Sequence, residues 1–194
     1  TGFNLRPEMS SSWEVGVDVR FFAGRTRLDV AYYSVQTDNQ IVTVRVPVTA
    51  GYVLQTRNEG SVKNHGVEIS LEQDIIKNSD WSWIAAFNLG LNRGVVVDLP
   101  DDVDRIAGTQ YGDIFPAASK GGSTTALLGI DYLRTADGTI ICDDKGYPQI
   151  SPKKENYIGN REPDFMAGLS TTVKYKGWTL SALFDGRLGG AVAN

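Results

Sequence analysis

Between residues 13 and 21, apolar side chains fill every second position: Trp13, Val15, Val17, Val19 and Phe21, with Glu14, Gly16, Asp18 and Arg20 between them. Successive side chains on a strand point to opposite faces, so this alternation describes a β-strand with one apolar and one polar side. The same period returns at residues 67–72, where Val67, Ile69 and Leu71 alternate with Glu68, Ser70 and Glu72. It returns again at 81–92, where Trp81, Trp83, Ala85, Phe87, Leu89 and Leu91 share a face. Near the end, Phe165, Ala167, Leu169, Thr171, Val173 and Tyr175 precede a second run of Trp178, Leu180, Ala182 and Phe184. A less regular segment at 26–36 sets Leu28, Val30 and Tyr32 against Arg27 and Asp29. The expectation is an all-β, antiparallel chain with about six long strands.

The connections between these strands alternate in length. Ala23-Gly24-Arg25 and Lys176-Gly177 read as tight turns and 77–80 as a short polar one, whereas 47–60 is a medium loop and 94–163 a very long one. Brief turns at one end and extended loops at the other are the rhythm of an outer-membrane β-barrel. Aromatic residues flank the short turns: Phe21 and Phe22, Trp81 and Trp83, Tyr175 and Trp178. Amphipathic rings gather where hydrocarbon meets water, so this row reads as a girdle. Six strands do not close a barrel, since the smallest have about eight. An open sheet in lipid would also leave edge N–H and C=O groups unpaired at several kcal/mol each. The pattern therefore implies an incomplete section of a large transmembrane barrel.

Composition narrows the function classes. The 194 residues carry 19 Lys and Arg against 23 Asp and Glu, a net charge of -4, so no basic face for nucleic acid is expected. The lone Cys142 allows neither a disulfide framework nor a cysteine metal cluster within the chain. No stretch approaches the roughly 18–20 apolar residues of a membrane helix. His65 is the sole candidate base for a nucleophilic site and lies at the start of a strand beside no nucleophile, so no catalytic residue and no enzyme activity are expected. Asp101, Asp102 and Asp104, and Asp143 and Asp144, lack calcium-loop spacing and read as turn chemistry, so no metal site and no cofactor are assigned. Residues 119–124 hold P-loop ingredients in the wrong order and read as a flexible loop.

At a larger scale the chain resembles the TonB-dependent outer-membrane transporters of the SusC/RagA type, found in Bacteroidetes. The resemblance is carried by Leu5-Arg6-Pro7-Glu8 leading into SWEVGVDVRFF, then LDVAYYSVQTDNQI, NEGSVKNHGVEISLE and WSWIAAFNLGLNR, and finally YIGNREPDFMAGLSTTVKYKGWTLSALFDGRLGGAVAN. These blocks follow in the family's order over nearly the whole chain, and the long central loop is the least family-like part. The resemblance implies a plugged barrel of about 22 strands importing glycans or peptides, driven by TonB and capped by a SusD-like surface lipoprotein. It implies that residues 1–194 form part of the barrel domain, with the plug and TonB-contacting segment before Thr1 and the final strand after Asn194.

In such a barrel Glu14, Asp18, Arg20, Glu68, Glu72, Asp185 and Arg187 face the lumen, toward plug, substrate or water. The loop aromatics Tyr111, Tyr132 and Tyr147, with Tyr52 and Phe115, are candidates for stacking on cargo rings. Residues 125–133 and 138–142 are expected to pair as a small outer hairpin. The competing reading is a secreted β-sandwich carbohydrate-binding module, which would pack the same apolar faces against each other.

Overall fold

The computed structural model describes residues 5–45, 49, 51, 54–153 and 155–192. Six long strands form one antiparallel sheet: β1 (Met9–Phe21), β2 (Thr26–Asp38), β5 (Ser61–Lys77), β6 (Trp81–Asp98), β11 (Pro163–Tyr175) and β12 (Trp178–Gly189). They lie in the order β1-β2-β5-β6-β11-β12, with β1 and β12 as open edges. A two-stranded hairpin, β3 (Ile41–Arg45) with β4 (Leu54–Asn58), stands between β2 and β5. The long loop carries a second sheet in the order β10-β9-β8-β7: β7 (Arg105–Ala107), β8 (Ile114–Ser119), β9 (Ala126–Gly129) and β10 (Asn156–Asn160).

The register turns six local alternations into one two-faced sheet. Val17 pairs with Val30, Val30 with Ile69, Ile69 with Leu89, and Leu89 with Ala167. One row nearer the short turns, Val19, Leu28, Leu71, Phe87, Leu169 and Phe184 stand in line. Directly opposed residues on antiparallel strands share a face, so all six apolar runs lie on the same side. Nothing among the described residues covers them: Val17 keeps 57% of its surface and Leu180 74%. The buried apolar residues Val42, Val96, Leu99, Ala117, Ala126 and Leu127 sit instead in the loop region or at the long-loop end of β6. A sandwich would press two such faces together. Here there is one sheet and one uncovered face, and the sandwich reading fails on that geometry.

Aromatics mark both margins of the apolar band. At the short-turn end Trp81 and Tyr175 are cross-strand partners with ring centroids 4.2 Å apart, and Tyr175 also pairs with Trp178. Toward the long-loop end Trp13 packs against Tyr32 at 5.3 Å. From Trp13 to Phe21 the strand rises about 26 Å, at ~3.3 Å per residue. Tilted by about 40°, that length spans nearly all of the roughly 25 Å apolar belt of an outer-membrane barrel.

The short turns follow their residues. Lys176 takes a left-handed φ of 49° ahead of Gly177, and Phe22, Ala23 and Gly24 at 51°, 55° and 82° carry the chain from β1 to β2. Asn78 Oδ1 accepts from the N–H groups of Asp80 and Trp81, an Asx turn closing β5 onto β6. The strands run further at their outer ends than the alternation indicates, β5 beginning at Ser61 and β6 reaching Asp98. Beyond the band the alternation breaks, because Val95, Val96 and Val97 are consecutive, Val96 is buried, and residues 121–124 bond to this end of β6.

Two loop expectations change. The medium loop of 47–60 is shorter than its bounds, because Leu54–Asn58 within it form β4, which pairs with β3 just before it. The outer hairpin is also differently paired: Ala126–Gly129 is β9, bonded to β8 and β10. Residues 138–142 belong to a compact meander in which Ile141 N–H donates to Leu133, Gln149 N–H to Ile141, and Leu133 N–H to Gln149. Its two turns, Thr135–Thr139 and Asp143–Tyr147, repeat at an eight-residue spacing that brings three short segments together.

Candidate functional site

The seven charged strand residues all project from the polar face, but they do not form one site. Glu14 and Glu68 line a groove on β1, β2 and β5 together with Tyr33, which pairs with both Glu14 and Gly66. Tyr33 fills the space that Gly66 leaves empty and donates from its hydroxyl to Asn92 Oδ1 at 3.0 Å. Asp18 lies directly opposite Asp29, a like-charge pair relieved only by Arg20 at 3.9 Å from Asp18. Glu72 is bound by Arg27. Asp185 and Arg187 stand on β12, five strand positions from β1, or about 24 Å at ~4.8 Å per strand. Asp185 lies over Gly168, and Arg187 points into a separate cavity at the outer mouth.

That cavity lies between the loop sheet and the outer end of β12, with a volume of about 660 Å³. Tyr111, Ile114, Pro116 and Leu127 supply its apolar wall, and Arg161, Glu162 and Arg187 its charges. Of the loop aromatics, Tyr111 is at this cavity, whereas Tyr132 and Tyr147 are exposed on the meander apart from it. Phe115 lies beneath the Arg105 guanidinium at 5.9 Å, and Tyr52 falls outside the described residues. Sequence reasoning passed over Arg161 and Glu162. The visible signal was a charged pair interrupting the chain just before the β11 alternation begins.

Glu162 is committed to the wall: its carboxylate accepts from the Asn92 side-chain amide and from Gly94 N–H on β6. Arg93 completes the clamp, donating to the Pro163 carbonyl at 2.8 Å and to Asp164. His65 lies on the apolar side at the outer margin, paired with Ser34 and Arg93, as an ordinary strand residue. Asp143 spends its carboxylate on the N–H groups of Lys145 and Tyr147, and Asp137 accepts from the Thr135 and Thr139 hydroxyls. These acidic side chains are turn acceptors. Among the described residues no three His, Cys, Asp or Glu groups converge as a metal site would require.

A second acidic rim surrounds the β2–β5 and β6–β7 connections, where Asp38, Glu59, Asp98, Asp101 and Asp102 border a hollow of about 510 Å³. Hydrogen bonds from Ser61 and Gln36 hold the Asp38 carboxyl below the usual aspartate range, and one from Arg57 does the same for Asp102. A hydrogen bond from Lys120 holds Asp98 down, and the same contact raises the Lys120 ammonium. This pair ties residues 119–122 to β6, beside Val96 N–H donating to Gly122 and Gly121 N–H donating to Val96. The depressed Asp98 contributes from about pH 4 upward and its contribution is lost as pH falls through its folded value. The raised Lys120 contributes below about pH 10 and is lost as pH rises through its folded value. Amide exchange at Val96, Gly121 and Gly122, corrected for intrinsic rates, is therefore expected to quicken below about pH 4 and again above about pH 10.5. Lys120→Met should show at pH 7 the exchange that the parent shows only in acid. Equal exchange at pH 3 and pH 7 in the parent would remove the ion pair from the account of this loop.

Comparison with known proteins gives a consistent match. The family model described as TonB dependent receptor-like, beta-barrel, matches residues 1–192. The chain is 28% identical to TonB-dependent receptor P3 of Formosa agariphila, covering 98% of the chain and 21% of that receptor. It is 30% identical to TonB-dependent receptor SusC of Bacteroides thetaiotaomicron over 62% of the chain and 12% of SusC. Among solved structures, the RagAB peptide importer in its open-open state superposes with a TM-score of 0.75 at 24% identity, covering 93% of the chain and 20% of that structure's chain. At its fullest, the chain spans about a fifth of the length of the curated relatives it matches.

Proposed function

The chain belongs to the TonB-dependent receptor β-barrel family, a family of outer-membrane proteins, and from that premise we propose that it forms part of the wall and outer mouth of a nutrient importer. The cargo class is an oligomer, glycan or peptide, and import is driven by TonB. The observation that carries this reading is the uncovered apolar band running in register across six strands, bounded by aromatics on both margins. A face of that size calls for an apolar covering, which for an outer-membrane family is hydrocarbon, and backbone groups in hydrocarbon must all be paired. The open edges of β1 and β12 are accordingly continued by further strands in a closed barrel, which places the opposite face toward a polar lumen. A wall carries no catalytic chemistry, and the function is transport rather than catalysis.

Within this reading Glu14, Asp18, Arg20, Glu68 and Glu72 face a plug domain, contributed by a part of the protein N-terminal to this section. The Asp18–Asp29 opposition, which Arg20 relieves only at 3.9 Å, supports contact there with a cation. The loop sheet, the β3–β4 hairpin and the meander form the outward surface, the position for a SusD-like lipoprotein lid.

The test is a chromosomal deletion and complementation with the full-length gene, following accumulation of a panel of labelled oligosaccharides and oligopeptides in cells with and without functional TonB. At least one member should enter only when both the gene and TonB are present. Uptake of the whole panel independent of the gene would overturn the import reading.

A further inference from the structure

Resting on the import reading, we propose that the cavity between the loop sheet and the outer end of β12 is a subsite for carboxylate-bearing cargo, with Arg161 and Arg187 receiving the carboxylate. At about 660 Å³ it falls within the roughly 300–1,000 Å³ of pockets that hold small ligands. Its two arginines differ from those around them. Arg57 is engaged by Glu59 and Asp102, Arg93 by Asp164, Arg105 by Glu155 and Arg134 by Asp131. Among the described residues, neither the Arg161 nor the Arg187 guanidinium has an ion-pair partner. Glu162, the acid beside them, has its oxygens spent on Asn92 and Gly94 of the wall.

The cavity thus holds two permanently charged, planar donors and a carboxylate turned to another use. A guanidinium fork matches a carboxylate in geometry and charge, and two such forks from separate elements recognise it without a metal. Tyr111, Ile114, Pro116 and Leu127 supply the complementary surface for the carbon body of the ligand, a sugar ring face or an aliphatic side chain. The two arginines reach the cavity from different elements, Arg161 from the connection between β10 and β11 and Arg187 from β12. The subsite is therefore a product of the fold. A uronic-acid oligosaccharide and an acidic peptide both provide the required group, and the experiment separates them.

Equilibrium binding to the purified full-length transporter is measured with trigalacturonate and with triglutamate, each against its neutral counterpart, galactotriose and triglutamine. The parent should bind one carboxylated probe at least about tenfold more tightly than its neutral analogue, consistent with charge-assisted hydrogen bonds. The double variant Arg161→Gln/Arg187→Gln should erase that preference, with barrel assembly checked by heat-modifiable migration. The double lysine variant, which keeps charge and loses the fork, should fall between them. Which probe shows the preference identifies the source of the carboxylate. A parent without preference for either carboxylated probe, or a preference surviving in the glutamine variant, overturns the subsite. Both results leave the import reading standing, because that reading is scored by gene- and TonB-dependent accumulation of any panel member.

Discussion

Val17→Arg in the full-length protein is expected to destabilise the barrel by about 2–4 kcal/mol, the cost of a cation at the centre of a lipid-facing strand. Val17 is midway between Trp13 and Phe21, whose aromatic neighbours mark the two margins of the band. It stands in the row of Val30, Ile69, Leu89 and Ala167, so the guanidinium has no polar neighbour across the sheet. Snorkelling from the middle of the band reaches neither margin without leaving the hydrocarbon. The measurement is the folded fraction in outer membranes, read by heat-modifiable migration, together with unfolding in denaturant from lipid vesicles. Ser70→Arg is the matched control. Ser70 lies in the adjacent row on the opposite face, between Asp29 and Asn88, and arginine there should assemble with a change within about 0.5 kcal/mol. Normal assembly of Val17→Arg alongside failure of Ser70→Arg would invert the faces.

The second large effect is expected at Gly66. A β-carbon there would collide with the Leu91 backbone oxygen and lie 2.5 Å from the Tyr33 hydroxyl. The tyrosine ring can turn aside, but the Leu91 carbonyl belongs to β6 and moves only with the strand. Gly66→Ala is expected to destabilise by about 1–3 kcal/mol, and Gly66→Val by more, as overpacking against backbone does. Removing the ring as well, in Gly66→Ala/Tyr33→Ala, should not restore stability, because the backbone contact remains and the Asn92 hydrogen bond is lost. A double variant as stable as the parent would show that the ring, and not the neighbouring strand, sets the requirement for glycine. By contrast Gly90, two residues before Asn92 on β6, has open space around its missing β-carbon, and alanine there should be neutral.

These two positions separate what was legible in the linear pattern from what was not. Val17 is readable from its neighbours alone. Side-chain direction on a strand has a period of two, a purely local property, so a chain passing between hydrocarbon and a polar interior records both environments residue by residue. For the same reason the six strands, their faces, the three short turns and the aromatic row at Trp81, Tyr175 and Trp178 follow from residue order. The family resemblance was legible too, since its blocks are these strands with their flanking turns. The seven charged strand residues share the polar face of the sheet, and a face is all that alternation can specify.

Gly66 carries no such record. In the sequence it is one glycine among 21, and only the pairing of β5 with β2 and β6 shows that Tyr33 and Leu91 occupy its space. Register is a relation between segments, and local pattern constrains it only to the correct face. The outer ends of β5 and β6 were underread because the residues there, Val95 to Val97 among them, no longer alternate. The loop sheet was missed because strands of three to six residues are too short for periodicity to stand out. Above all, the alternation of β12 and the break before β11 gave no reason to connect Arg187 with Arg161. Chain order determined which residues face hydrocarbon and which do not. The tertiary structure alone decided which polar residues meet, because long-range pairing, unlike side-chain direction, has no local signature.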